Sequence, residues 1–321
     1  MHIVTGANGF IGSATVWQLN QKGIFNIIAV DTVPLKDRDL LKGKSYAKFL
    51  AKDELWDFLA ETKGSQVKAF FHIGACSSTT ETNWDFLFEN NVQYSQKIFR
   101  WCAAESVPLI YASSAATYGD GALGFDDHTN PFLLKALNLY GKSKLVFDQW
   151  VGEARHSPPN WYGLKYFNVY GPNEAHKGDQ ASVVLKAFHQ IQSTGQLKLF
   201  KSHLPEYKDG EQMRDFIYVK DVVHWMIELL EKKPASGIYN MGTGTARTWM
   251  ELGHAVFKAL DMVPAIDFID IPANLKNQYQ YFTEAKMGKF YSQGMTPFQW
   301  TLEGGVADYV KEHLMKEQKL L

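Results

Sequence analysis

A short apolar stretch, His2–Thr5, runs straight into Gly6-Ala7-Asn8-Gly9-Phe10-Ile11-Gly12, and helical spacing of apolar residues follows from Ser13 to Lys22. Strand, G-x-x-G-x-x-G turn and helix in immediate succession leave few folds open. Glycines at this spacing let the backbone turn tightly, approach a pyrophosphate and pack the helix on the strand. The helix N-terminus then faces the phosphate charge. An ordinary strand–helix turn can hold the same three glycines, but the strand before and the helix after favour a dinucleotide site. Asp31 ends the second strand, 19 positions beyond Gly12. An acidic side chain there accepts hydrogen bonds from the adenosine ribose and, taken alone, favours NAD. Thr32 follows it, and Lys36, Arg38, Lys42, Lys44 and Lys52 come soon after. One or two of these cations suit a 2′-phosphate; any single one is equally a solvated loop residue.

The first half of the chain keeps alternating. Ile27–Val30, Ala69–His72, Leu109–Ala112 and Gly163–Phe167 read as strands, and Asp53–Glu61, Asn90–Glu105 and Asn138–Glu153 as helices. The strands are continuous apolar runs, as in a parallel sheet covered on both faces. The expected class is therefore α/β, a Rossmann-type doubly wound parallel sheet with a smaller α/β substrate-binding domain. After Phe167 the regularity breaks. Residues 171–180 and 201–214 are polar and read as loops, followed by strands at Phe216–Val219 and Ile238–Met241. Helices are expected at Val222–Lys232, Thr248–Leu260 and near Ala307–Lys316. The boundaries assign residues 1–167, with roughly 213–240 and 284–300, to the dinucleotide domain. Roughly 168–212, 241–283 and 301–321 make the substrate domain.

Composition narrows the classes. The chain has 321 residues, 45% apolar, enough for one large domain or two sharing a core. A formal net charge of -1 removes the electrostatic case for nucleic-acid binding. No run approaches the ~20 apolar residues of a membrane span. The start shows no basic, cleavable leader, and Cys76 and Cys102 give neither a disulfide framework nor zinc spacing, so a cytoplasmic protein without a metal is expected.

Tyr140-Gly141-Lys142-Ser143-Lys144 gives Y-x-x-x-K at the start of an amphipathic helix. Residues i and i+4 share a face, so phenol and ammonium point the same way. A nearby ammonium, helped by a positively charged nicotinamide ring, is expected to lower the phenol pKa toward the working pH, so that it takes a proton from an alcohol as hydride leaves. The motif alone is also met as a core tyrosine with a surface lysine. Ser113-Ser114-Ala115-Ala116-Thr117-Tyr118-Gly119 stands at the carboxyl end of a strand, the edge where open α/β sheets hold ligands.

Together these features resemble the extended short-chain dehydrogenase/reductase family of nucleotide-sugar epimerases and dehydratases, over essentially the whole chain. The resemblance implies Ser114, Tyr140 and Lys144 as catalytic residues. It places Tyr166-Phe167-Asn168-Val169-Tyr170-Gly171-Pro172 near the nicotinamide and Arg214, in Arg214–Val222, at substrate phosphate. Within the family, His72–Glu81, Tyr111–Gly119, Asn173–Gly178 and Tyr279–Thr283 look like the epimerases acting on C6 of ADP-linked heptoses. Ile73 stands where that group often has Glu, and Asp179 and Lys186 where it often has small polar and His residues.

The resemblance implies inversion at C6″ of an ADP-sugar through transient oxidation, for the lipopolysaccharide inner core of a bacterium. A tightly held NADP, one per subunit, is expected, with NAD as the other possibility, in a homo-oligomer. The implied cofactor contacts are Gly6, Gly9, Phe10, Ile11, Gly12, Asp31, Thr32, Arg38, Lys52, Ile73, Gly74, Ala75, Cys76, Ser77, Asn90, Lys144, Val169 and Lys177. The implied substrate contacts are Ser77, Asn168, Asp179, Lys186, Phe200, Lys201, Arg214 and Tyr279. Opposite faces of a carbonyl need a second proton carrier, for which the resemblance points to Lys177; by its residue alone Lys177 is an exposed loop lysine or a phosphate contact. A 4,6-dehydratase would need carboxylates where Ala115-Ala116-Thr117 stands. A UDP-hexose 4-epimerase is served equally by Ser, Tyr and Lys but does not call for Lys177. A non-catalytic NADP sensor would typically lack the tyrosine or lysine.

Overall fold

The computed structural model describes residues 1–272, 280–316 and 320–321. Its contacts divide the chain into two units. The first comprises Met1–Tyr166, Val223–Asn240 and Gly288–Thr296; the second comprises Phe167–Val222, Met241–Met287 and Pro297–Leu321.

The first unit is built on β1 (His2–Thr5), β2 (Ile27–Asp31), β3 (Lys48–Ala51), β4 (Ala69–His72), β5 (Leu109–Ser114) and β6 (Trp161–Tyr166). These form a seven-stranded sheet with β10 (Gly237–Met241), in the order β10-β6-β5-β4-β1-β2-β3. Neighbours from β3 through β6 run parallel. The order reverses direction at β1, which makes the crevice beside it a topological switch point. Parallel strands also bring Thr5, Asp31, His72 and Ser114, each the last residue of its strand, to one edge. The helices are α1 (Phe10–Gln21), α2 (Glu54–Ala60), α3 (Trp84–Leu87), α4 (Tyr94–Ala104) and α5 (Leu139–Gly152). Ile28, Val30, Leu55, Phe70, Ile98, Phe99, Leu109, Tyr111, Phe147 and Val151 form one buried cluster across the sheet face.

The expected α/β class is borne out. The helix expected over Asn90–Glu105 starts earlier, at Trp84, and passes through a π-helical turn at Phe88–Gln93 before α4. Strand β3, at an edge with only Leu50 fully buried, carried too weak an apolar signal to be expected.

The second unit has β7 (Asn168–Tyr170), β8 (Leu197–Phe200), β9 (Met213–Tyr218), β11 (Ala246–Thr248) and β12 (Ile266–Ile269). They form a three-stranded sheet, β11-β9-β7, and a pair, β12-β8. The helices are α6 (Val183–Thr194), α7 (Val219–Lys232), which continues into the first unit, α8 (Trp249–Ala259), and α10 (Leu302–Asp308). Helix α9 (Gly288–Ser292) belongs to the first unit. Residues 213–222, placed with the dinucleotide domain by the sequence, pack in the second unit, because β9 pairs with β7 and β11. Among the described residues, no helix is long and apolar enough to cross a membrane.

Candidate active site

The glycine turn is dictated by close packing. Gly6 has φ +66°, and a Cβ there would stand 2.6 Å from the Gly74 Cα. A Cβ on Gly12 would stand 1.9 Å from the Gly6 carbonyl oxygen. Gly9 caps α1 without a side-chain hydrogen bond, and no acidic residue occupies the first turn at Phe10, Ile11 and Gly12. The dipole end of α1 is thus left for an anion. Ile73 and Gly74 run beside this turn: the Ile73 N–H donates to the Thr5 carbonyl at 3.3 Å, and the Gly74 N–H to the Thr5 hydroxyl at 3.2 Å.

Asp31 is buried, and its carboxylate accepts the Asn8 N–H at 2.9 Å and the Val33 N–H at 3.0 Å. The Arg38 guanidinium lies 3.8 Å from the same carboxylate, and its Nε donates to the Asn8 carbonyl at 2.8 Å. Asp31 and Arg38 therefore tie the glycine turn to the loop after β2, a task the sequence had not assigned them. Thr32 is exposed beside them. Lys52 donates to the Asn90 side chain at 2.5 Å and lies over the Tyr94 ring.

Behind the turn runs a hydrogen-bonded chain that sequence reasoning missed. Buried His72 meets the Thr5 hydroxyl and the Ser95 hydroxyl, each at 2.8 Å. Burial, aided by Lys144 and Lys52, brings its pKa down to about 3, so the ring is neutral. Ser95 donates to the Asn91 carbonyl at 2.7 Å. The Asn91 side chain is wholly buried, accepts the Cys76 N–H, and donates to the Cys76 carbonyl and the Ser143 hydroxyl. This fixes residues 73–77, in which Ala75 and Cys76 are half-buried and Ser77 exposed, against α5.

Helix α5 is capped by Asn138, whose side chain accepts the Gly141 N–H at 2.8 Å. A Cβ at Gly141 would stand 2.8 Å from the Ala116 carbonyl, so the first turn of α5 presses on the turn that follows Ser114. The Ser114 hydroxyl donates to the Tyr140 oxygen. Burial raises the phenol pKa, the Ser114 hydrogen bond opposes, and the nearby Cys76 sulfur adds to the rise. Lys144 is buried, and its Nζ donates to the Ala112 carbonyl at 3.0 Å. Burial lowers the Lys144 pKa to about 8, against the attraction of Asp148 and Cys76.

Asp148, one helical turn beyond Lys144, accepts from the Ser113 hydroxyl at 2.7 Å and the Tyr111 hydroxyl at 3.2 Å. Lys165 completes its shell at 3.2 Å and donates to the Thr117 hydroxyl at 2.5 Å. The i, i+4, i+8 series Tyr140, Lys144, Asp148 was the available signal for this carboxylate.

In the second unit Asn168 is exposed and Val169 half-buried. Lys177 lies half-buried in a 3-10 segment, Ala175–Gln180, kinked at Gly178 with φ 51°. Burial lowers the Lys177 pKa; Glu174 opposes this and Lys186 adds to it. Asp179 and Lys186 are joined, the ammonium donating to the Asp179 carbonyl at 2.8 Å. Arg214 is buried, donates to the Met213 and Gln280 carbonyls, and lies over the Trp249 ring. Phe200 is half-buried and Lys201 exposed, 3.5 Å from Asp270. Tyr279 lies outside the described residues. Asp126, Asp127 and His128 offer ligand atoms within 4.8 Å of one another, but Asp126 caps the His128 N–H and Asp127 accepts the Asn240 N–H.

Comparison with known proteins places these features in a lineage. The NAD dependent epimerase/dehydratase family model matches residues 2–242. The ADP-L-glycero-D-manno-heptose-6-epimerase of Fusobacterium nucleatum is 46% identical, with 100% of each chain covered. The protein of that name from Nitratidesulfovibrio vulgaris strain Hildenborough is 49% identical over 98% of each. The solved Helicobacter pylori ADP-L-glycero-D-manno-heptose-6-epimerase superposes with a TM-score of 0.80 at 25% identity, covering 97% of this chain and 95% of that one. A Cβ-intolerant glycine turn, a bare helix N-terminus and a Tyr–Lys pair on one helix fit a nicotinamide dinucleotide, and the chain belongs to the NAD dependent epimerase/dehydratase family.

Proposed function

We propose that this epimerase inverts C6″ of ADP-D-glycero-β-D-manno-heptose to give ADP-L-glycero-β-D-manno-heptose, with bound NADP, in making the lipopolysaccharide inner core. The observation that carries the reading is the phenol of Tyr140, hydrogen-bonded to Ser114 and one helical turn from Lys144. It stands in a chain that aligns end to end with relatives bearing that name.

The turn at Gly6, Gly9 and Gly12, with the first N–H groups of α1, would hold the pyrophosphate. Asp31 and Thr32 would face the adenosine ribose, and Arg38 and Lys52 a 2′-phosphate. Ile73 to Ser77, Asn90 and Val169 would line the rest of the cofactor. When bound, the oxidised nicotinamide takes up and returns the C6 hydride, and its positive charge favours the phenolate. Tyr140 carries the proton of the C6 hydroxyl on one face of the sugar carbon, and Ser114 hydrogen-bonds the same oxygen. Lys144, held by Ala112, orients the cofactor ribose and supports the phenolate charge. Lys177, whose burial already favours the neutral amine, is the proton carrier for the opposite face. Arg214, Phe200, Lys201, Asp179, Lys186, Asn168, Ser77 and Tyr279 are the proposed substrate contacts. The homo-oligomeric state and cytoplasmic location belong to the same reading.

A coupled assay decides among substrates. ADP-D-glycero-β-D-manno-heptose should be converted with no net consumption of cofactor, and UDP-glucose should not. Conversion of UDP-glucose alone would replace this reading by a UDP-hexose 4-epimerase. Cofactor bound without turnover of either sugar would replace it by a binding protein.

A further inference from the structure

Glu174 is wholly buried in the second unit, three residues before Lys177. Its carboxylate gathers donors from both ends of one loop. Oε1 accepts the Gly171 N–H at 3.1 Å and the Ser182 hydroxyl at 2.6 Å; Oε2 accepts the Ser182 N–H at 2.6 Å. The Tyr309 hydroxyl also donates to it. The Glu174 carbonyl in turn accepts the Lys177 N–H at 2.9 Å. Residue 171 opens the loop and residue 182 caps α6, where the Ser182 hydroxyl also accepts the Leu185 N–H at 3.2 Å. A single carboxylate thus closes the loop that presents Lys177.

A buried carboxylate loses its hydration, which is costly unless its acceptor sites are filled. Here they are filled by Gly171 and Ser182, which bracket Lys177 in the chain, and by the Tyr309 hydroxyl. An apolar residue there would leave the Gly171 and Ser182 N–H groups without their acceptor, so closure calls for an acceptor side chain, and a carboxylate brings a charge with it. The charge has a second effect: Glu174 draws the Lys177 pKa up against burial, while Lys186 pushes it down. Lys177 and Tyr309 face the carboxylate, and Glu174 and Lys186 face the ammonium.

We propose that Glu174 is a positioning residue for Lys177, its carboxylate fixing the loop from 171 to 182 and setting the charge beside the Lys177 ammonium. The proposal rests on the reading of Lys177 as the second proton carrier.

The test compares Glu174→Gln, Ser182→Ala and Lys177→Met in the full-length protein with ADP-D-glycero-β-D-manno-heptose. Glu174→Gln keeps the size and removes the charge. It should lower kcat at least tenfold with KM within twofold, and move one limb of the kcat–pH profile to lower pH, since the lost charge no longer sustains the ammonium. The other limb should stay in place; a merely structural role would move neither. Ser182→Ala keeps the charge, so it should lower kcat several-fold with both limbs unmoved. If Glu174→Gln does not fold, Ser182→Ala decides: wild-type kcat overturns the proposal, and a several-fold loss at unchanged KM supports it. Folded Glu174→Gln with wild-type kcat and limbs overturns it while leaving Lys177 as proton carrier. Wild-type turnover in Lys177→Met overturns the underlying reading instead.

Discussion

Lys165 and Asp148 form an ion pair at 3.2 Å with both side chains almost wholly buried. Ser113, the residue before Ser114 on β5, donates to the same carboxylate, and Lys165 reaches the Thr117 hydroxyl in the turn that follows. Thr117 donates to the Ser114 carbonyl at 2.8 Å. The pair therefore holds the strand end and turn that carry Ser114. Removing one partner leaves the other charged and buried. Lys165→Met should destabilise the protein by about 3–5 kcal/mol, read by urea denaturation. The double variant Asp148→Leu, Lys165→Met should recover much of that loss. A double variant as unstable as the sum of the singles would show that the pair is not acting as a unit.

The glycine turn predicts an order of sensitivity. A Cβ at Gly12 meets a backbone carbonyl at 1.9 Å, whereas one at Gly9 comes no closer than 3.1 Å. Gly12→Ala should lose copurifying dinucleotide and much of its stability, and Gly9→Ala should keep more of both. Mass analysis of the released nucleotide measures the first, and thermal melts the second. Equal retention in the two variants would mean that the turn is not the pyrophosphate cradle.

His72 makes stability depend on acid. Its pKa falls from an ordinary 6.5 to about 3 in the folded protein. The unfolded chain binds more protons between those values, so this contribution is complete above pH 6.5 and is lost as pH falls toward 3. His72→Gln should flatten that part of the stability–pH curve relative to wild type. Parallel curves would show that another group carries the acid sensitivity.

Tyr140→Phe removes the hydroxyl that Ser114 bonds and leaves the ring. Turnover should fall by about 10²–10⁴-fold, the usual contribution of a general acid–base group, with copurifying cofactor unchanged. Near-normal turnover would remove Tyr140 from the chemistry.

The sequence showed what backbone periodicity and rare spacings encode. Strand, glycine turn and helix led to the parallel sheet, and Tyr140 and Lys144 stood out because i and i+4 share a helix face. The buried partners were hidden by ambiguity. Lys165 sits within an apolar strand, where a charge reads as an interruption, and Asp148 looks like any polar helix residue until Lys165 is placed across from it. Asn91 and His72 act through contacts between residues 15 to 67 positions apart, which periodicity does not report. Asp31 was legible as an acid at the right strand end, but its bonds to Asn8 and Val33 depend on how the loop folds back. The burial that raises the Tyr140 phenol pKa is visible only in three dimensions.

Transient oxidation at C6 is the central claim, and the fate of hydrogen at that carbon tests it most directly. ADP-D-glycero-β-D-manno-heptose carrying deuterium at C6 should be converted in ordinary water to the inverted product with the deuterium retained at C6, because the hydride leaves and returns without meeting solvent. Inversion with deuterium replaced by solvent hydrogen would contradict the account and indicate removal of C6 hydrogen as a proton.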